Sequence, residues 1–221
     1  MGEAPIGDSL NKRDWEVGEV DRAIAKKLIE QWHYSQSSSE IISAAFGLFH
    51  VDNPERCWGV TTWTPAMITP AIRRLVPDQN EWDHIVGLSR LVIDPTAPKN
   101  AATFLLTKSV QLLDQWWKLC VTYADLWQGH AGTIYKAAGW LYDGMSKAQP
   151  VYKLADGSMV SHRRGDVTLT HKEMLEIGAE YLGEWEKHRY VYWREGGQAL
   201  QRVRKARKKI DVFAKVVRES D

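Results

Sequence analysis

From residue 87 to residue 144 the chain alternates apolar, β-branched runs with helical ones, and this alternation constrains the fold more than anything else in the sequence. GLSRLVID (residues 87–94) reads as a buried strand and DPTAPKN as a loop. AATFLLTKSVQLLDQWWK reads as a helix with Phe104, Leu105, Val110, Leu112 and Leu113 at apolar positions, and KLCVTYAD as a second strand. A glycine-punctuated loop, GHAG, then leads into a helix over TIYKAA and, through Gly139, into a third strand. Strand, helix, strand, helix, strand implies parallel pairing with helices covering the sheet. Open α/β sheets bind ligands at the carboxyl ends of their strands. Asp125, His130, Thr133 and Tyr135 follow the second strand and form the first candidate site.

The flanks carry their own signals. Val20, Ala23, Ile24, Leu28 and Ile29 recur at helical spacing, so residues 20–32 are expected to be an amphipathic helix. IISAAFGLFHV and CWGVTTWT are expected to pair as a hairpin across Asp52, Asn53 and Pro54. Beyond Gly144 a hairpin turns at Asp156 and Gly157 and HRRGDVTLT continues it; HKEMLEIGAEYL is a short helix and KHRYVYWR an alternating strand. From Gln198 onward the chain reads as helical and basic. At 221 residues the expectation is one catalytic domain over 1–197 with a basic helical extension over 198–221.

Hydrophobic residues at 44% and charged residues at 26% exclude global disorder. Trp and Tyr, at 11 and 8 against 4 Phe, suit either half-wet cores or surfaces that stack bases. Net charge is only +1, but residues 161–221 carry a net +4. Within them Arg202, Arg204, Lys205, Arg207, Lys208 and Lys209 form a run that is either a solvated helix face or a phosphate-contacting tail. Cys57 and Cys120 sit in apolar surroundings without CxxC spacing, which supports neither a disulfide framework nor a zinc knuckle. The start MGEAPIGDSL lacks the apolar core of a signal peptide, Ile6 stands where an acylation signal wants Ser or Thr, and no run is long enough to span a membrane. The expected setting is the cytoplasm.

Four groups of residues could carry chemistry. Lys99, Asn100, Ala101 and Thr103 open the helix after Asp94, where unsatisfied backbone donors could cradle a pyrophosphate or carboxylate; a plain capped helix is the alternative. Asp125 could orient His130 as a proton shuttle, with the Tyr135 hydroxyl protonating a leaving thiolate, or Asp125 could simply cap the next turn. His33 and Tyr34 precede a serine-rich turn; with Asp125 or His130 they offer imidazole, phenol and carboxylate, a set that could hold iron or another transition metal. Arg90 is a charge inside an apolar strand, so it must be paired, for instance with Asp125, or face a ligand.

LSRLVIDPTAPKNAATFLL and the VTYAD to YDG segment together resemble the cofactor half of the GCN5-related N-acetyltransferase (GNAT) fold, including Tyr135 through Trp140 as a "YxxxGF"-like turn. More narrowly, WHYSQ, LSRLVI, YADxxxGHAGTIYxAxxW and KHRYVY, in that order, resemble the Mom family of bacteriophage DNA-modification proteins. The resemblance implies an α/β fold with a central, mixed, strongly twisted β-sheet flanked by helices. It also implies conversion of adenine in DNA to a carbamoylmethyl-type base at its exocyclic amine, which protects phage DNA from restriction in the cytoplasm of the host bacterium. His33, Tyr34, Arg90, Asp125, His130, Thr133 and Tyr135 match the family's motifs, as do His188, Arg189 and Tyr190. The expected cofactor is acyl-CoA or a related activated donor, bound near Lys99, Asn100, Ala101, Thr103 and Thr133, although PKNAA replaces the Gly-rich phosphate motif of acyltransferases. DNA is the expected partner, held by Arg189 and the run from Arg202 to Lys209, and a homodimer is compatible with the sequence. The alternatives are an acyl-CoA-dependent acyltransferase acting on a small-molecule or protein amine, and a DNA-binding accessory protein without catalysis.

Overall fold

The computed structural model describes residues 9–36, 40–164 and 167–194; the extension expected over 198–221, with its run from Arg202 to Lys209, lies outside the described residues. The first described strand, β1 (Trp15–Glu19), is one that its mixed composition hid from the sequence reading. The expected early helix follows as α1 (Arg22–Trp32), opened by Asp21, whose carboxylate accepts from the Ala23 amide at 2.7 Å. Strands β2 (Ala44–His50) and β3 (Asn53–Pro65) form the expected antiparallel hairpin, with Ala44 opposite Trp63 and His50 opposite Asn53. A short helix, α2 (Pro70–Leu75), begins at Pro70, where a missing N–H costs nothing.

Strand β4 (Ile85–Ile93) leads to α3 (Ala101–Leu112), which stops six residues short of the expected end. The reason is local: the Asp114 carboxylate accepts from the Trp116 amide at 2.7 Å and turns the chain back. Strand β5 (Leu119–Asp125), helix α4 (Thr133–Ala137) and strand β6 (Leu141–Met145) complete the central unit. Then come β7 (Gln149–Lys153), β8 (Met159–Val160), β9 (Arg163–Arg164), β10 (Val167–Thr168), α5 (His171–Glu176), β11 (Glu180–Trp185) and β12 (Lys187–Trp193).

The main sheet has the order β1-β2-β3-β4-β5-β12-β6. The expected mixed sheet is present, but the parallel pairing expected over residues 87–144 is corrected in part: among the described strands of this sheet only β4 and β5 are parallel. Strand β12 inserts between β5 and β6, antiparallel to both. Strands β11, β7 and β8 form a separate sheet, and β9 pairs with β10.

Helices cover the main sheet on both faces. Ala25 and Ile29 of α1 pack with Ala45, Val60 and Val92, while Leu106 and Val110 of α3 pack with Phe46, Trp63, Val86 and Leu88. Two features of β4 shape the site. Its pairing with β3 shifts between Leu88 and Arg90, a bulge that turns Arg90 and Val92 to the α1 face while Leu91 stays with the α3 cluster. Its parallel pairing with β5 ends after Gly87 and Val121, so the two strands part toward their carboxyl ends.

Candidate active site

The parting of β4 and β5 opens a cavity of about 530 Å³, and the residues singled out by the sequence converge on it. His33, Tyr34, Arg90, Asp125, His130 and Tyr135 all line it. Tyr34 arrives from the end of α1, Arg90 from the bulge in β4, and Asp125 from the last position of β5.

Asp125 is the centre of the arrangement, 7% exposed. The Tyr34 hydroxyl donates to its Oδ2, and Lys187 Nζ lies 2.6 Å from its Oδ1. Lys187 was missed by the sequence reading; in β12 it stands directly opposite Asp125, a pairing of strands far apart in the chain. Arg90 feels both Asp125 and Tyr34: burial lowers its guanidinium from the ordinary value and those two groups partly restore it. Its Nη1 also donates to the Ser89 carbonyl at 2.8 Å. Lys187 is the ion-pair partner of Asp125, and Arg90, expected to pair with it, acts on it through its charge.

The phenols are held protonated. Burial raises Tyr34 far above the usual tyrosine range, and the Asp125 charge and hydrogen bond raise it further. Burial likewise raises Tyr135, against an opposing hydrogen bond with Thr122. His33 lies over Tyr34 with ring centroids 4.2 Å apart, and its Nδ1 is 2.8 Å from Ser35 Oγ. Burial first, then Arg90, lowers it to about 4. It is therefore neutral near pH 7 and takes up a proton on unfolding between about pH 4 and its ordinary 6.5. Stability should fall as the pH drops through that window. Thermal melts between pH 7 and 4 should show a shallower loss for His33→Asn; parallel curves for both proteins would contradict this.

Trp127 and His130 each meet the Tyr34 ring edge-on at 6.0 Å. The loop that carries them depends on glycine at one position in particular. Gly132 caps α4 at φ +68°, and a Cβ there would lie 2.2 Å from the Tyr190 ring. That close approach lets Tyr190 donate to the Ala131 carbonyl at 2.7 Å and pins the loop beside Tyr135.

Other expected residues fall elsewhere. Lys99, Asn100, Ala101, Thr103 and Thr133 do not line the cavity; they sit at the starts of α3 and α4. Asn100 adopts φ +69° as the cap of α3, and Ala101 is buried. Arg189, expected to contact phosphates, is 5% exposed, with Nε 2.6 Å from Asp143 Oδ2 and Nη2 donating to the Asp143 carbonyl at 2.7 Å. It is an internal ion pair. His33, Tyr34 and Asp125, the residues of the expected metal set, line the cavity together; Lys187 and Arg90 place positive charge beside Asp125, and among the described residues no group of three His, Cys, Asp or Glu is arranged to hold an ion. Neither Cys57 nor Cys120 is in a disulfide, and burial pushes Cys120 up to about 12, which suits packing rather than nucleophilic attack. No helix among the described residues is long and apolar enough to cross a membrane.

Comparison with known proteins bears on this geometry. The chain is similar in structure to Arabidopsis thaliana NAA60 in complex with acetyl-CoA, at 10% identity and TM-score 0.55, covering 82% of this chain and 99% of that one. A Bacillus subtilis acetyltransferase in complex with CoA superposes at 10% identity and TM-score 0.47, covering 81% and 97%. At such identities the likeness concerns the fold, a mixed α/β GNAT fold with a mostly antiparallel central sheet. No curated protein matches the chain. The model of the Mom protein family, in contrast, matches residues 14–210, which take in every residue of the cavity, and the chain therefore belongs to the Mom family.

Proposed function

We propose that this protein is a group-transfer enzyme that modifies the exocyclic amine of adenine in DNA, giving a carbamoylmethyl-type base that restriction enzymes do not cut. The observation that carries the proposal is the cluster of Tyr34, Arg90, Asp125 and Lys187 facing one cavity of a GNAT fold in a Mom-family chain. The amine of adenine is a weak nucleophile and is hidden in duplex DNA, so the base must be flipped or taken from a single strand. A cavity edged by Tyr34, Trp127 and His130 offers ring faces and edges to such a base.

The residues around the cleft fit an acyl-CoA-type donor in one respect. Beyond Gly87 the edge of β4 has no strand partner on the β5 side among the described residues, and an extended chain of amides can pair with such an edge. When bound, an acyl-CoA-type donor would supply an activated carbonyl with a thiolate leaving group; direct transfer gives an N6-acyl adenine, and the carbamoylmethyl-type base, bonded to N6 through its methylene carbon, is reached only when a transferred aminoacetyl group, its isomer, is rearranged afterwards. Each remaining role belongs to the protein. Tyr135, protonated and at the cavity wall, gives its proton to the departing group. His33, uncharged above about pH 4, accepts the proton that leaves the amine as the new bond forms. Arg90 stabilises negative charge that develops on the transferred group, and Asp125, which accepts from the Tyr34 hydroxyl and faces Lys187, helps to hold it in place.

The fold alone would equally suit an acyltransferase for a small-molecule or protein amine, and the burial of Arg189 removes one contact expected for DNA. Mass spectrometry of nucleosides from cells expressing the chain separates the readings. A new adenine derivative in the wild type, reduced roughly 100-fold or more by Tyr135→Phe, is expected. Unmodified nucleosides together with coenzyme A binding would favour the small-amine reading.

A further inference from the structure

A second cavity, of about 360 Å³, lies on the small sheet formed by β11, β7 and β8, and Pro150 lines both it and the main cavity. Its walls are aromatic. Tyr152 is buried, and its hydroxyl is 2.8 Å from His171 Nδ1. Tyr181, 42% exposed, meets His171 edge-on at 4.9 Å and lies 5.4 Å from Tyr152.

One carboxylate completes the site. Tyr181 and Glu184 are three apart in β11, and in a regular strand they would point to opposite faces. A bulge between them, at Gly183 with φ +98°, restores the parity, so Tyr181 stands opposite Tyr152 and Glu184 opposite Pro150 on one face. A bulge that re-aims one side chain beside an aromatic cluster is the pattern of a binding surface rather than of a plain sheet.

Among the described residues lining this cavity, Glu184 is the one Asp, Glu, Lys or Arg, and the rest of the wall includes the rings of Tyr152 and Tyr181 and the imidazoles of His162 and His171. That chemistry repels phosphate. It suits a flat ring carrying an amine, which stacks on Tyr181 and donates to the carboxylate. We propose that the cavity takes a nucleobase next to the target adenine, with amine-bearing bases favoured over thymine, whose C4 carbonyl would face the Glu184 carboxylate. The inference rests on the reading of the main cavity as a DNA-adenine site, because the shared wall at Pro150 is what makes the two occupants neighbours.

The test uses fluorescence anisotropy with single-stranded oligonucleotides that carry one adenine flanked by cytosine or by thymine. Nucleoside mass spectrometry of the same oligonucleotides after incubation with the donor runs in parallel. Wild type should prefer the cytosine flank. Tyr181→Ala should weaken binding about tenfold or more with either flank, and Tyr181→Phe should restore it, since stacking and not the hydroxyl is at stake. Glu184→Gln should bring the thymine-flanked oligonucleotide level with the cytosine-flanked one, because its amide can donate to the thymine carbonyl. A wild type that modifies adenine while both Tyr181→Ala and Glu184→Gln bind as it does would overturn the subsite alone. A wild type that neither binds these oligonucleotides nor modifies them overturns the adenine reading and the subsite with it.

Discussion

Asp125→Asn should reduce adenine modification by roughly 100-fold or more while leaving the fold intact, measured as modified nucleoside per total adenine beside a thermal melt. The substitution keeps an acceptor for the Tyr34 hydroxyl but removes the charge that faces Lys187 at 2.6 Å. Two cationic side chains, Lys187 and Arg90, then share the cavity with no carboxylate between them. Lys187 is 39% exposed at its side chain and can swing toward water, so little stability is lost, but the positions of Arg90 and Tyr34 are no longer held. Preorganised donors and charges contribute the most when their geometry is fixed before reaction, and loss of that geometry falls on the rate more than on binding. Tyr34→Phe tests the same unit from the other side: it removes the hydrogen bond and keeps the ring against His33 and Trp127. Full modification by both variants would mean that the cluster is structural.

How far the sequence foretold this arrangement depended on whether the determining contacts were local. The β2–β3 hairpin was legible because its turn, Asp52 to Pro54, joins two β-rich runs with few residues between them. Helices α1 and α3 were legible from apolar spacing, and the ends of β4 and β5 from their apolar runs. The sheet order was not. Strand β12 enters between β5 and β6 from more than 40 residues downstream, and nothing in KHRYVYW says which edges it will meet. That one insertion accounts for the two largest corrections. It breaks the parallel rhythm expected over residues 87–144, and it delivers Lys187 to Asp125. Strand β11 was read as the tail of a helix because Leu175, Ala179 and Leu182 keep a helical spacing past Gly178, where the chain in fact leaves α5 at φ +80°.

Arg189 was legible as a residue of interest but not in its role, and its substitution should have the largest effect on stability. An arginine in the exposed alternation of a strand reads as a surface cation. Regular alternation instead places Arg189 on the face of buried Val191, and the bulge in β6, which pairs Met145 with His188 and Tyr142 with Tyr190, lies where Asp143, 2% exposed, meets it. Arg189→Met should therefore cost about 3–5 kcal/mol, because it leaves the Asp143 carboxylate buried without its cation. At about 2–4 °C per kcal/mol for a domain of this size, the melting temperature should drop by roughly 6–20 °C. The double variant Arg189→Met with Asp143→Leu should recover most of that loss, since two apolar groups of similar volume bury no charge. The pattern across the cycle distinguishes this internal pair from a phosphate contact. A DNA-contacting arginine would leave the melting temperature unchanged and flatten the salt dependence of binding by about one unit of slope; an internal one moves the melt, and its loss is reversed by removing its partner.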